Sequence, residues 1–206
     1  MTKIIGVSGQ FGSGKDTFTD YLAGKLNNNL SSNYWYRKSF ASNVKKIFCE
    51  TFNVDMDFIE EWKRKDECPP GFDIPIRKCL TFIGDGFRDI KSNIWIDLLL
   101  KNNNDNIIIS DVRYINECDI IRSNKYCKKG YTILLWRPGY ENDFQNRSEQ
   151  ELMQFVHQLK NKPDGYIDIE GIPFDFWIKN DKDLSSLYDK VDKLIIPFIA
   201  KGNKCQ

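Results

Sequence analysis

The feature that most constrains this chain is a glycine-rich segment that joins a short apolar run to a helical pattern. The apolar run is 3–8, and the segment that follows reads Gly9-Gln10-Phe11-Gly12-Ser13-Gly14-Lys15. Glycines allow a positive backbone φ and a close approach of main-chain N–H groups to an oxygen-rich ligand, and the next helix adds partial positive charge at its N-terminus. This G-x-x-x-x-G-K pattern predicts binding of a di- or triphosphate, with Lys15 reaching the β- and γ-phosphates. The alternative is a glycine-rich turn with an exposed lysine.

The residues after Lys15 depart from the usual pattern for direct binding of Mg²⁺. Asp16 stands where a serine or threonine normally supplies a ligand, and Thr17 comes one residue later. Mg²⁺ gives up its waters reluctantly, so a site of this kind can hold the metal through water and the phosphates. We therefore expect Thr17 to act through a water, and direct ligation by Asp16 or Thr17 stays open.

A second candidate for the metal follows the most apolar strand of the sequence. The run 107–110 ends at Asp111, and ligands of parallel α/β sheets bind at the carboxyl ends of the strands. A carboxylate there is placed to orient a metal-bound water beside the phosphate loop, while its alternative role is a helix N-cap. Arg113 is expected to project from the same edge, where a planar guanidinium suits a phosphate.

Strand-like apolar runs alternate with helical patterns along the whole chain, which predicts an α/β fold with a central parallel sheet flanked by helices. The 206 residues suit one domain. Residues 41–104 carry mainly helical patterns and form a predicted insertion, which leaves a core of 1–40 and 105–206. Within the core the patterns predict strands at 3–8, 34–40, 107–111, 131–136 and 176–178, and helices at 15–26, 117–124, 148–160 and 184–199. Asn27–Asn29 are expected to end the first helix.

Charge and composition exclude several classes of function. Thirty basic and 29 acidic residues leave a formal net charge of +1, so no global field recruits nucleic acid or an anionic membrane. The sequence has no apolar run of the length of a membrane span and no signal-peptide pattern, and we expect a cytoplasmic protein. Six cysteines without a C-x-x-C pair and a single histidine, His157, argue against a disulfide framework, a zinc site and Ser-His-Asp chemistry.

Three segments of the sequence carry a family likeness. They are G-Q-F-G-S-G-K-D-T at 9–17, S-D-V-R-Y-I-N-E at 110–117, and Phe40-Ala41 followed by Lys45. Together they resemble the phage-type deoxynucleoside monophosphate kinases of the P-loop superfamily. Shorter similarities at 83–95, 137–139, 147–149 and 176–187 extend the resemblance over nearly the whole chain. It implies an adenylate-kinase-like P-loop fold that uses ATP and Mg²⁺ to phosphorylate a deoxynucleoside monophosphate, with the insertion as the acceptor-binding lobe and a short lid at about 137–148.

The resemblance also implies roles for individual residues. The residues matched to the ATP-binding loop are Gly9, Gly12, Ser13, Gly14, Lys15, Asp16 and Thr17. The implied catalytic residues are Lys15, Asp111, Arg113, Arg137 and Arg147, of which the last stands where the family often has a histidine. Within the insertion, our candidates for the acceptor are Phe40, Lys45, Arg77, Lys78, Arg88 and Trp95, with Phe87 as a further ring beside the base. A solvated helix face for the cations and core packing for the rings are equally open interpretations.

Phosphoryl transfer depends on positioning and charge neutralisation more than on a general base, which suits a chain with one histidine and several arginines. The expected partners are therefore the small molecules ATP and a deoxynucleoside monophosphate, without stable nucleic-acid or membrane binding, and the resemblance is compatible with a homodimer. Two other functions stay open. One is a P-loop kinase for a different small phosphorylated acceptor, and the other is a nucleotide-dependent regulatory binding module.

Overall fold

The chain forms two compact units. The computed structural model describes residues 2–29, 34–140 and 147–201, with the backbone alone for residues 29, 147 and 201. One unit comprises Met1–Lys38 and Asn104–Gln206, and the other is Ser39–Asn103. The predicted insertion of 41–104 and the second unit differ by two residues at one end and by one at the other. Acceptor binding by this unit stays a prediction.

The first unit contains a six-stranded sheet in the order β2-β3-β1-β4-β6-β5. All neighbours pair in parallel except β5, a two-residue strand that runs antiparallel to β6 and that the sequence patterns did not predict. The predicted α/β fold with a central parallel sheet is thus confirmed. The strands are β1 (Lys3–Ser8), β2 (Trp35–Lys38), β3 (Asn106–Val112), β4 (Lys129–Trp136), β5 (Gly165–Tyr166) and β6 (Phe176–Lys179).

Helices flank the sheet and build the second unit. Continuous apolar runs such as that of β3 suit a sheet that is covered on both faces, and three isoleucines of β3 are fully buried. One core cluster joins Phe18 and Leu22 of the first helix to Ile108 of β3 and to Ile195 near the C-terminus. The helices are α1 (Lys15–Asn29), α2 (Ala41–Phe52), α3 (Met56–Trp62), α4 (Ile76–Ile90), α5 (Ile94–Leu100), α6 (Ile115–Arg122), α7 (Arg147–Leu159), α8 (Leu184–Lys190) and α9 (Ile196–Lys201).

The ends of two helices depend on local contacts and chemistry. The asparagine tract falls at the end of α1, as predicted, and Asn27 also uses its side chain to pair with β2. Its Oδ1 accepts from the main-chain N–H of Trp35 at 2.7 Å, and its Nδ2 donates to the carbonyl of Trp35 at 3.1 Å. The predicted last helix is interrupted by a π-helical turn at Val191–Ile195 directly before α9, where Pro197 lacks an N–H for the regular ladder.

The second unit is built around its own apolar cluster. Phe48, Ile59, Ile76 and Cys79 are buried together, and Phe72 stacks near Phe48 with 5.6 Å between ring centroids. The helix α3 begins at a capping side chain, since Asp55 Oδ1 accepts from the N–H of Phe58 at 2.8 Å. Among the helices that the structure describes, none is both long enough and apolar enough to cross a membrane.

Candidate active site

The phosphate loop, residues 9–15, connects β1 to α1 at the carboxyl edge of the sheet. Gly12 and Gly14 adopt φ values of 73° and 91°, which side chains other than glycine rarely tolerate. A Cβ atom on Gly14 would also lie 2.7 Å from Nδ2 of Asn180. Glycine is therefore required at this position by both the backbone conformation and the space available.

Two side-chain amides fix the loop to the ends of neighbouring strands. Gln10 Nε2 donates to the carbonyl of Arg137, just after β4, at 2.6 Å. Asn180, just after β6, donates from Nδ2 to the carbonyl of Ser13 at 3.0 Å and from its main-chain N–H to the carbonyl of Trp136 at 2.7 Å. No local sequence pattern indicates these two anchors, because each amide and the carbonyl to which it donates lie more than a hundred residues apart along the chain.

Lys15 turns its ammonium group toward the main chain of the phosphate loop. Its Nζ donates to the carbonyls of Gly9 and Gln10, both at 2.7 Å. The pKa of Lys15 is lowered from 10.5 to about 8, first by burial and then by the guanidinium of Arg113. Three carboxylates act in the opposite direction and raise this pKa, namely those of Asp16, Glu149 and Asp111. The predicted residues Asp111 and Arg113 therefore lie within electrostatic reach of Lys15.

Asp111 owes its position to an irregularity in the sheet. Gly6 of β1 pairs with Ile109 of β3, but Ser8 pairs with Val112, so β3 contains one extra residue over this stretch. Such bulges redirect side chains near active sites. Hydrophobic patterning predicted the strand but carries no signal for a bulge, which depends on the register between two strands.

Asp111 is not the N-cap residue of the helix that follows. That position belongs to Tyr114, and Glu117 Oε2 accepts from the N–H groups of Arg113 and Tyr114 at 2.7 and 3.2 Å. The buried Glu117 thus satisfies the start of α6. Asp111 is partly exposed, as is required for contact with a metal-bound water.

Neither Asp16 nor Thr17 adds to a preformed metal cage. Asp16 is exposed and forms an ion pair with Arg37, which also binds Asp20 at 2.7 Å. Thr17 is exposed in the first turn of α1. Within the part of the chain that the structure describes, no group of three or more acidic, cysteine or histidine side chains is placed to hold a metal ion. The residues present fit Mg²⁺ that is held by phosphates and waters, with Asp111 as the nearby carboxylate.

The predicted lid falls only partly within the described structure. Residues 141–146 and the side chain of Arg147 lie outside the described residues. The Arg137 guanidinium lies over the ring of Tyr140, 4.8 Å from its centroid. Glu149, which belongs to one of the shorter family-like segments, is buried in the first turn of α7.

The predicted acceptor-binding cations all lie in the second unit. Lys45 pairs with Glu60 at 2.6 Å, and Arg88 pairs with Asp85 at 3.2 Å. Hydrogen bonds from Lys45 and then Lys63 lower the pKa of Glu60 from 4.5 to about 2. The remaining two cations, Arg77 and Lys78, are exposed in the first turn of α4.

Two of the three predicted acceptor-binding rings of the same unit are buried. Phe40 is 2 % exposed and Trp95 is 1 % exposed. Trp95 Nε1 donates to the carbonyl of Gly84 at 3.0 Å, and the ring of Phe87 lies 5.6 Å from that of Trp95. Phe87 is 39 % exposed. This burial favours core packing for Phe40 and Trp95 and leaves Phe87 as the accessible ring.

The first unit defines a class of protein. A buried parallel strand leads through a glycine-rich loop into a helix, the loop lysine donates to two main-chain carbonyls, and a carboxylate lies near the end of the adjacent strand. This is the arrangement of a nucleotide-binding P-loop protein.

A comparison with known sequences gives the family. Over 168 residues the chain is 34 % identical to a protein of Acanthamoeba polyphaga mimivirus named "Putative deoxynucleotide monophosphate kinase". The matched region covers 72 % of this chain and 81 % of that protein. The chain belongs to this deoxynucleotide monophosphate kinase family, which confirms the resemblance seen in the sequence and makes the protein a P-loop kinase. No protein-family model matches the chain.

Solved structures of other kinases are similar over most of their length. Dephospho-CoA kinase from Campylobacter jejuni superposes with a TM-score of 0.49 at 16 % identity, covering 99 % of this chain and 100 % of that one. Shikimate kinase from Acinetobacter baumannii, in complex with shikimate, gives a TM-score of 0.45 at 13 % identity, covering 100 % of this chain and 97 % of the other. Because both TM-scores are below 0.5, the fold is assigned from the strand order and register described above and not from these superpositions.

Proposed function

We propose that this protein transfers the γ-phosphate of ATP to a deoxynucleoside monophosphate and releases ADP and a deoxynucleoside diphosphate. The observation that carries the proposal is the phosphate loop, with Lys15 enclosed by main-chain carbonyls, in a chain of the deoxynucleotide monophosphate kinase family. Kinase activity follows from membership of this family. The proposal adds the phosphate donor, the acceptor and the roles of individual residues.

ATP binding begins at the phosphate loop. The N–H groups of the loop and of the first turn of α1 carry partial positive charge that suits the β- and γ-phosphates. Lys15 Nζ exchanges its bonds with neutral carbonyls for bonds with phosphate oxygens, which are stronger because both partners are charged. The incoming phosphates also raise the pKa of Lys15 above about 8 and keep it protonated.

Charge neutralisation drives the transfer step. An oxygen of the acceptor phosphate forms a bond to the γ-phosphorus while the bond from the β–γ bridging oxygen to that phosphorus breaks, so ADP leaves with the electron pair of that bond. The attacking oxygen is already ionised at neutral pH, and no general base is needed. Lys15 and Arg113 stabilise charge on the transferred group, and Arg137 approaches it from the segment after β4.

Mg²⁺ fits this site through waters and phosphate oxygens. When bound, the ion neutralises charge on the β- and γ-phosphates and fixes their orientation. Asp111 and Thr17, which lies in the first turn of α1, would hold the ion through waters. Asp16 has a different role in this proposal, since its ion pair with Arg37 joins α1 to β2.

The acceptor is bound by cations of the second unit. Arg77, Lys78, Arg88 and Lys45 are the candidates for its phosphate, and the half-exposed ring of Phe87 is the candidate for its base. Lys45 and Arg88 already have carboxylate partners, which they must give up to bind a phosphate. The reaction uses free nucleotides, so the proposal puts it in the cytoplasm, which is that of a host cell for a viral chain.

The test is a coupled assay of ADP release with ATP and Mg²⁺. Each of the four common deoxynucleoside monophosphates is offered separately, then AMP, GMP, CMP and UMP, and then dephospho-coenzyme A and phosphomevalonate. We expect turnover with a subset of the deoxynucleotides and loss of that turnover in Lys15→Ala. Turnover only with one of the last two acceptors would replace the proposed substrate. Tight ATP binding without turnover of any acceptor would favour the regulatory binding module.

A further inference from the structure

The segment 137–140, which follows β4, contacts the phosphate loop at two separate points. The first is the hydrogen bond of 2.6 Å from Gln10 Nε2 to the carbonyl of Arg137. The second is at Gly12, where a Cβ atom would lie 2.6 Å from Cδ1 and 2.8 Å from Cε1 of Tyr140. The ring of Tyr140 therefore occupies the space that a side chain at Gly12 would need.

The same aromatic ring also holds the side chain of Arg137. The guanidinium lies over the ring, 4.8 Å from its centroid, within the range of a cation–π interaction. One ring thus touches both the guanidinium and the phosphate loop. Gln10 fixes the backbone of Arg137, and Tyr140 fixes its side chain.

We propose that Gln10 and Tyr140 are positioning residues that hold Arg137 beside the phosphate loop, with its N–H groups directed to the transferred phosphate. This inference rests on the proposed function, because it gives the held arginine a purpose in phosphoryl transfer. Neither residue touches the reacting atoms in this scheme. Both act through Arg137.

The burial of the two contacts decides what each contributes. Gln10 is 4 % exposed, so its bond to the Arg137 carbonyl is shielded from water and sets a fixed starting point for the side chain. Tyr140 is 46 % exposed, so its hold on the guanidinium is weaker and reversible. The ring covers one face of the guanidinium, so the N–H groups at its edge can still donate to a phosphate. The transferred phosphate therefore gains a charge-assisted bond while the ring contact and the backbone stay in place.

Holding the arginine in advance raises the rate because less side-chain freedom is lost in the transition state. A free arginine side chain has many rotamers, and restricting them beforehand removes part of the entropic barrier. Loss of the ring should slow the transfer step by about fivefold, the size of one exposed cation–π contact. ATP binding should change little, because the loop amides and Lys15 carry it.

The test is a double-mutant cycle with kinetic and binding readouts. Wild type, Tyr140→Leu, Arg137→Met and the double variant are compared in kcat, in KM for the acceptor and in the Kd for ATP. We expect Tyr140→Leu to lower kcat by about fivefold at unchanged Kd for ATP, and to have no further effect when Arg137 is already methionine, which has no cation for the ring. Tyr140→Phe keeps the ring and is the matched control, with kcat close to that of wild type. The same fall in kcat in both the arginine and the methionine background, or a Tyr140→Leu variant with wild-type kcat, would overturn the proposal.

Gln10 gives a second, independent arm. Gln10→Leu keeps the volume but removes the donor to the Arg137 carbonyl, and we expect a fall in kcat that again vanishes in the Arg137→Met background. Hydrogen exchange of the peptide covering 137–140 should be faster in Gln10→Leu and in Tyr140→Leu than in Tyr140→Phe, and equal rates would contradict the proposed contacts. A wild-type protein that turns over no acceptor overturns the proposed function and with it the purpose of the held arginine. An active wild type with a failed cycle overturns the positioning role alone.

Discussion

The two units of this protein hold their cations in different ways. In the first unit, the phosphate loop surrounds Lys15 with main-chain carbonyls at 2.7 Å. In the second unit, Lys45 and Arg88 pair with carboxylates, at 2.6 Å from Glu60 and 3.2 Å from Asp85. A carbonyl carries only a partial charge, so Lys15 keeps a strong attraction for an incoming anion. Lys45 and Arg88 must first leave a partner of full opposite charge.

Phosphate binding in the first unit depends mainly on one local motif, whereas the candidate acceptor residues of the second unit depend on how several helices pack. The phosphate loop consists of seven consecutive residues before one helix, and Gln10 and Asn180 fix it to the ends of later strands. The candidate acceptor residues are spread over α2, α4 and α5, and their availability depends on which neighbours each helix meets. Substitutions can test the contrast between Lys15, which donates to neutral carbonyls, and the cations that pair with carboxylates.

The largest effect is expected at Lys15. Lys15→Ala should lower kcat/KM by about 100-fold or more, because it removes the positive charge that stabilises the transferred phosphate. Lys25→Ala, in the same helix, is the matched control. Lys25 pairs with Asp192 at 2.8 Å on the surface, and its loss should leave kcat/KM unchanged. Equal rates for wild type and Lys15→Ala would show that the loop lysine does not act on phosphate.

The sequence predicted the strands and the phosphate loop of the first unit for physical reasons. The apolar runs of β1, β3 and β4 reflect burial on both faces, and G-x-x-x-x-G-K is typical of this loop geometry. The asparagine tract falls at the end of α1, as predicted, but the pairing of Asn27 with β2 could not be predicted from the sequence. The interruption of the last helix before Pro197 is a local effect that the sequence could have revealed.

Within the site, the sequence identified residues but not their arrangement. Lys15, Asp111 and Arg113 were predicted, and the structure brings Asp111 and Arg113 within electrostatic reach of Lys15. The bulge at Asp111 and the anchors Gln10 and Asn180 depend on strand register and on contacts across more than a hundred residues. Hydrophobic periodicity contains neither kind of information.

The next effect concerns the buried rings of the second unit. Trp95→Phe should lower the free energy of unfolding by about 2 kcal/mol, because the carbonyl of Gly84 loses its donor and the smaller ring leaves a void. KM for the acceptor should stay unchanged if Trp95 is a core residue. Phe87→Leu, at a half-exposed ring, should do the reverse, with little loss of stability and a raised KM. Urea unfolding and steady-state kinetics on both variants measure the two quantities, and a raised KM without destabilisation in Trp95→Phe would assign that ring to the acceptor.

A smaller effect is the pH dependence of ATP affinity. Lys15 has a pKa of about 8 in the free protein, so it is charged below this pH and loses its proton above it. Bound phosphates raise that pKa, so ATP binding takes up a proton at high pH and weakens by roughly tenfold between pH 7 and pH 9. Isothermal titration at several pH values measures this change. Lys15→Arg should show a flat profile over the same range, because arginine stays charged, and a profile equal to wild type in that variant would assign the titration to another group.

The smallest effect is expected at Lys45. An acceptor-binding role and a purely structural ion-pair role for this residue predict different effects on KM for the acceptor. Lys45 and Lys63 both donate to Glu60, whose pKa falls from 4.5 to about 2. A carboxyl with a lowered folded pKa stabilises the fold above pH 4.5, and that contribution is lost as the pH falls from 4.5 to about 2. Because Glu60 is largely solvated, the contribution should stay below about 1 kcal/mol, and Glu60→Gln should remove it together with its pH dependence.

If Lys45 also binds the acceptor, Glu60→Gln frees the ammonium group of Lys45 and lowers KM for the acceptor, while Lys45→Met raises this KM. If Lys45 serves only the ion pair, both variants lose the same small amount of stability and keep the wild-type KM, and acid unfolding curves recorded beside the kinetics separate the two results.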